Sequence, residues 1–187
     1  RYALVMNGEV YNFQSLRAEL QGKGYHFRSS GDAEVVLYAL AEWGKPAIER
    51  FNGMFALAIY DSLEKKLLLA RDHVGSKPLY YLTSPQGLVF GSQYDQLMAH
   101  PWARCLSTHQ AALSLYLRFG YIPAPYAVLE NTHLLEAGCW LEIDVSGKQS
   151  KGRYFELPQY QVPDLSGHEA DEAVEAALVS AIRRQMV

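Results

Sequence analysis

Residues 54–60, MFALAIY, place an apolar side chain at every position, odd and even alike. A strand with one solvated face would alternate, so this one must be covered on both sides. Layers on either side of the sheet are therefore required, and helices flanking stacked sheets would supply them. The runs KLLLAR (66–71), PLYYL (78–82) and LVFGS (88–92) are also short and rich in aliphatic and aromatic residues. With turn clusters at Asp61–Lys65 and Ser84–Gly87 between them, the pattern predicts an antiparallel meander.

The helices are marked by their ends. After an apolar first strand, Tyr2–Met6, the stretch VMNGEVYN breaks off into Asn7, Gly8 and Glu9, where the chain is expected to leave the sheet. Asn12 can cap a short helix carrying Phe13, Leu16 and Leu20, with Gly22 and Gly24 available to end it. Asp32 can cap a second, carrying Val35, Val36, Leu40 and Trp43 and stopping near Gly44. A further helix is expected over Thr108–Phe119, closed by Gly120, then a proline-containing loop, YIPAPY, and strand structure around Trp140–Val145. Pro158–Gly167 has the character of a linker. Ser166 and Glu169 form a capping-box pattern ahead of a helix with Val174, Ala177, Leu178, Ala181 and Ile182 at helical spacing. The chain opens at Arg1 directly into a strand and ends inside a helix with no stop signal, so a piece of a longer protein is expected.

Composition narrows the class. With 17 basic and 20 acidic residues spread along 187 and a net charge of −3, there is no basic stripe to neutralise phosphates, so nucleic acid is not an expected partner. No apolar run approaches the roughly 20 residues of a spanning helix, and no membrane partner is expected; the expected location is the cytoplasm. Cys105 and Cys139 lack metal-ligand spacing and are expected to be buried free thiols. No metal site is expected.

The chemistry suggested by the opening stretch is acyl transfer. A glycine at a strand-to-loop corner lets another atom approach the main chain, with its N–H pointing outward, and an adjacent Asn side chain adds a second donor. Two donors converging on one point stabilise the oxyanion of a tetrahedral intermediate. Asn7 and Gly8 are candidates for that role. Asn-Gly also makes simple tight turns, and the dipeptide by itself leaves both readings open.

Six segments in order, NGEVYNFQSLRAEL, GDAEVVLYAL, FNGMFALAIYD, LLLARDHVGSKPLYY, GYIPAP and LLEAGCWLEI, resemble the glutaminase domain of glutamine-hydrolysing asparagine synthases, from Tyr2 to about Phe155. The resemblance implies an α+β fold, the four-layer αββα sandwich of antiparallel sheets of N-terminal-nucleophile hydrolases, truncated at its N-terminus. It also implies a partial glutaminase domain over 1–157, with a linker and the first helix of the synthase domain over 158–187.

In that family the NGE segment holds glutamine. Asn7 and Gly8 would be the catalytic oxyanion donors, Glu9 would line the pocket, and Asp32 would pair with the substrate α-ammonium group. For Glu9 the alternative is a solvated turn residue, and for Asp32 it is the cap role above. Arg71 and Asp72 are expected to be structural, a salt bridge or loop anchor near the site. His73 is more simply a surface or packing residue, and Tyr80 and Tyr81 core or sheet-face aromatics.

The departures matter equally. The family's nucleophile is a cysteine at the mature N-terminus, with an upstream Arg segment for the glutamine carboxylate, and neither is in this chain. Neither Cys105 nor Cys139 can substitute, because neither has a free α-amino group beside it. Gln93 stands where the family usually has Glu. By resemblance the partners are glutamine and the chain's own synthase domain, with a homodimer left open. No cofactor is expected in this chain, since ATP and Mg would belong to the absent synthase domain. The parent would make asparagine from aspartate with ammonia from glutamine, and the chain alone is expected to be inactive. A related amidotransferase with another acceptor, such as a cell-surface precursor, and a non-catalytic domain without its nucleophile are the alternatives.

Overall fold

The computed structural model describes residues 1–159 and 165–186. Its strands are β1 (Tyr2–Val10), β2 (Gly53–Asp61), β3 (Lys66–Arg71), β4 (Tyr80–Ser84), β5 (Gly87–Gly91), β6 (Thr132–Leu134), β7 (Cys139–Asp144) and β8 (Gln149–Arg153). Its α-helices are α1 (Phe13–Gly22), α2 (Asp32–Trp43), α3 (Tyr94–Ala99), α4 (Gln110–Phe119) and α5 (His168–Gln185). The strands form two antiparallel sheets, ordered β1-β2-β3-β7-β8 and β5-β4-β6.

The doubly apolar run is β2, and Phe55 to Ile59 are all buried. Its odd positions, Phe55, Leu57 and Ile59, pack with Leu16 and Leu20 of α1 and Val35, Val36, Ala39 and Leu40 of α2. Its even positions, Ala56 and Ala58, face Leu79 and Tyr81 across the gap between the sheets, with Leu69 and Leu141 beside them. Alanines on the inner face let the two sheets approach. A third cluster joins Leu82 of β4 to Leu97 of α3 and Ala103. Helices, sheet, sheet and helix therefore lie in four layers, as expected. Burying each large apolar side chain contributes roughly 1.5–3 kcal/mol, so the layers on β2 dominate the core.

Several local expectations are corrected. The predicted meander is two hairpins in different sheets, because Asp72–Leu79 carries the chain from β3 of one sheet to β4 of the other. β1 does not end at Asn7 but pairs with β2 in unbroken register to Val10↔Gly53. Asn12 stands at the N-cap of α1 without a side-chain cap bond. Its side chain instead bridges to the loop before β2, donating from Nδ2 to the Arg50 carbonyl (2.9 Å) and accepting from the Asn52 amide (2.9 Å). Gly31, not Asp32, is the N-cap of α2.

α4 begins at Gln110, with the His109 side chain accepting from the Ala112 amide. It ends as expected at Gly120, which adopts the left-handed conformation that favours glycine. Gly167, not Ser166, is the N-cap of α5. β6 and β8 were not expected, and residues 160–164 of the expected linker lie outside the described residues. Cys139 is buried as expected, whereas Cys105 is exposed.

Candidate active site

The sequence candidates gather at one edge of the larger sheet. β1 has β2 on one side only, and the bonding pattern fixes which backbone groups face the open side. The Tyr11 amide donates to the Asn52 carbonyl (2.7 Å), while Phe55 exchanges both its backbone groups with Asp72. In an antiparallel ladder, bonded and non-bonded pairs alternate, so Gly8↔Phe55 and Val10↔Gly53 are non-bonded pairs. The N–H groups of Gly8 and Val10 thus point away from β2, along the open edge. They are about 7 Å apart, two residues of extended chain.

Asp32 occupies one of these positions. Its Oδ2 accepts from the Val10 amide at 2.9 Å, and among the described residues none donates to Oδ1. Gly8, with φ +139°, could not be replaced by a larger residue in place, because an added Cβ would lie 1.9 Å from the Met54 carbonyl oxygen. Asn7 and Glu9 flank it in the strand.

Glu9 and Asp32 share an open cleft of about 540 Å³ with Phe13, Gln14, Arg17 and Gly31. Asn7 opens instead into a smaller hollow of about 170 Å³ between the sheets, beside Ala56, Leu79, Phe90 and Ser92. Glu9 and Asp32 are therefore brought together, and Asn7 reaches them through Gly8 rather than across one pocket. Among the described residues, nothing hydrogen-bonds the Asn7 or Glu9 side chain.

Residues 28–31, which lead into Asp32, are held from both sides. Arg17 donates to the Ser29 and Gly31 carbonyls (2.8 and 3.0 Å). Glu34 accepts from the Arg28 amide (3.0 Å) and from the Ser29 amide and hydroxyl (both 2.7 Å). The Arg28 amide first, then the Ser29 hydroxyl and amide, hold the Glu34 carboxyl down at about 2. Sequence reasoning missed both residues. Arg17 sits on the polar side of an amphipathic helix, and the carbonyls it meets are 12 and 14 residues away.

Arg71 and Asp72 form a loop anchor, not a salt bridge to each other. Arg71 donates to the Lys77, Leu135 and Gly75 carbonyls (2.7, 2.7 and 2.6 Å). Burial depresses its pKa, and the Asp72 charge opposes that shift. The wholly buried Asp72 accepts from the amides of Phe55, Val74, Ser76 and Lys77 (3.3, 3.2, 2.9 and 2.9 Å). This knot fixes Phe55, the residue opposite Gly8. His73 packs edge-on against Tyr154 and Phe155, and burial lowers its pKa. Tyr81 is a core aromatic. Among the described residues, no group of three or more His, Cys, Asp or Glu is placed to hold a metal ion, and no helix is long and apolar enough to cross a membrane.

The antiparallel double-sheet sandwich is matched by comparison with known proteins. Residues 1–155 match the model of the glutamine amidotransferase domain, and the chain belongs to that family. Over 100 residues, 54% of the chain, it is 38% identical to glutamine-hydrolysing asparagine synthetase 3 of Bacillus subtilis (strain 168), covering 16% of that protein. Over 154 residues, 82% of the chain, it is 33% identical to synthetase 1 of the same organism, covering 24% of it. Asparagine synthetase B of Escherichia coli (strain K12) is 35% identical over 67% of the chain and 22% of its own length. The chain thus spans a quarter or less of the length of these relatives. The fold is that of the N-terminal-nucleophile amidotransferases. Glutamine phosphoribosylpyrophosphate amidotransferase from B. subtilis superposes with a TM-score of 0.54 at 20% identity, over 82% of this chain and 29% of that one.

Proposed function

We propose that this chain is the glutaminase part of a glutamine-dependent asparagine synthase, in which glutamine is hydrolysed to glutamate and ammonia for the ATP-dependent amidation of aspartate. The observation that carries the proposal is the open edge of β1. Asp32 holds the Val10 amide with one oxygen, and the Gly8 N–H faces the same side about 7 Å away. An amino acid whose side chain ends in an amide has its cation at one end and its reacting carbonyl at the other. In this reading Asp32 Oδ1 takes the α-ammonium group, with Glu9 lining the same cleft. The Gly8 N–H and the Asn7 side-chain amide stabilise the oxyanion that forms at the scissile carbonyl.

The nucleophile and the group that binds the α-carboxylate come from outside these 187 residues. So do ATP and Mg, which belong with a synthase domain. Residues 1–157 are the glutaminase domain, and 158–187 are the connection to the synthase domain and its first helix. Val174, Leu178 and Ile182 of α5, one turn apart, are each more than half exposed, a stripe suited to packing against further structure.

The test is Asn7→Ala in the full-length protein that carries this domain. Losing one oxyanion donor should slow glutamate release about 100- to 1,000-fold and leave asparagine synthesis from free ammonia unchanged. Equal loss of both activities would assign Asn7 to folding instead.

A further inference from the structure

We infer that Arg17 of α1 and Glu34 of α2 are positioning residues for substrate recognition, clamping the 28–31 segment so that Asp32 meets the substrate's cationic group at a fixed place. This rests on the reading of Asp32 as the α-ammonium partner.

Arg28–Gly31 form neither helix nor strand, so nothing periodic satisfies their backbone. Two charged side chains do so instead. Arg17 takes the carbonyls of Ser29 and Gly31, and Glu34 takes the amides of Arg28 and Ser29. The cation holds acceptors and the anion holds donors, the pairing in which each bond is charge-assisted and stronger than a neutral one. Gly31 then leads directly into Asp32, the first residue of α2. The segment's position therefore sets where Asp32 Oδ1 lies relative to Gly8.

Arg17 is itself held, with its guanidinium 4.5 Å from the centre of the Phe27 ring. Although it lines the cleft beside Glu9 and Asp32, both its terminal nitrogens already donate to carbonyls. It is thus anchored to the loop by one bond from each terminal nitrogen. Glu34 sits two residues beyond Asp32 and points back to the loop, so α2 contributes one carboxylate to the substrate and one to the segment that aims it.

The experiment compares glutamine with its desamino analogue, the same five-carbon monoamide without the α-amino group, as substrates for glutamate or glutarate release by the full-length protein. Arg17→Met and the isosteric Glu34→Gln should each lower the preference for glutamine about tenfold, through its KM. Turnover of the analogue and ammonia-dependent synthesis should stay as in the wild type. Asp32→Asn is run alongside. If it lowers the preference while Arg17→Met and Glu34→Gln weaken both substrates equally, or neither, the clamp is merely structural and the inference falls with the Asp32 reading intact. If Asp32→Asn leaves the preference unchanged, the Asp32 reading fails and takes the inference with it. Should Arg17→Met not fold, Glu34→Gln decides alone.

Discussion

Two polar regions lie on opposite sides of Phe55, and they use their hydrogen bonds in opposite ways. On the β3 side, Asp72 is wholly buried and collects four amides, while Arg71 is spent on three carbonyls. On the β1 side, the Gly8 N–H, the Asn7 amide, the Glu9 carboxylate and Asp32 Oδ1 have no bond from a described residue, and Asn7 is exposed to solvent. A buried charge is tolerated only when its bonding capacity is filled, so the filled knot is architecture. Unfilled capacity along a strand edge, where water can stand in until a ligand arrives, is what a binding site has to offer. Polar residues in this domain are thus sorted by what remains unsatisfied, not by charge.

The largest effect expected from this contrast is on the filled side. Asp72→Ala strands four amides around a buried position, and the loss of folding stability should be about 3–5 kcal/mol. Chemical denaturation of the domain measures it. A loss below about 1 kcal/mol would show that the knot is not what ties β3 to the following loop. Gly8→Ala comes next, since it strikes both regions at once. The added methyl collides with the Met54 carbonyl, and the φ of +139° is one that side chains rarely adopt. About 2–4 kcal/mol should be lost from that strain and overpacking, together with glutaminase activity. This separates it from Asn7→Ala, which should spare stability. An unchanged melting temperature in the Gly8 variant would mean that β1 can move away from β2 without penalty.

The same contrast explains what the sequence made legible. The two-faced β2 was readable because seven consecutive residues are apolar, and the five at its centre, Phe55 to Ile59, are buried on both faces. Arg71 and Asp72 were legible through the family resemblance, whereas their partners, as far off as Leu135, 64 residues on, had no local signal. β8 was not, because an edge strand of sequence QSKGR, exposed at most of its positions, carries no apolar alternation. The continuation of β1 through Gly8 was hidden for a related reason. Asn-Gly-Glu looks like a turn locally, and only pairing with residues more than 40 positions away keeps it extended. Asp32 was legible as a residue that matters at the start of α2. That its oxygen would close on the Val10 amide, 22 residues back, had no local signal.

The smallest expected effect lies between the two regions, at Glu34, a carboxylate filled like Asp72 but near the surface like Asp32. Its carboxyl is held from the ordinary 4.5 down to about 2 by the Arg28 amide and by the Ser29 hydroxyl and amide. A folded-state pKa below the unfolded one means that the stabilising contribution is fully present above about pH 4.5 and is lost as pH falls towards 2. Because the group lies near the surface, the effect should be local. NMR titration of the domain should show the Arg28 and Ser29 amide resonances constant down to about pH 4 and shifting together only near pH 2, ahead of any change in the β2 core. Movement near pH 4.5 would mean that the carboxylate is solvated and the clamp open. Asp32 would then be aimed by its bond to Val10 and by Arg17's hold on the Ser29 and Gly31 carbonyls, and the distinction between filled and waiting carboxylates would stop at Asp72.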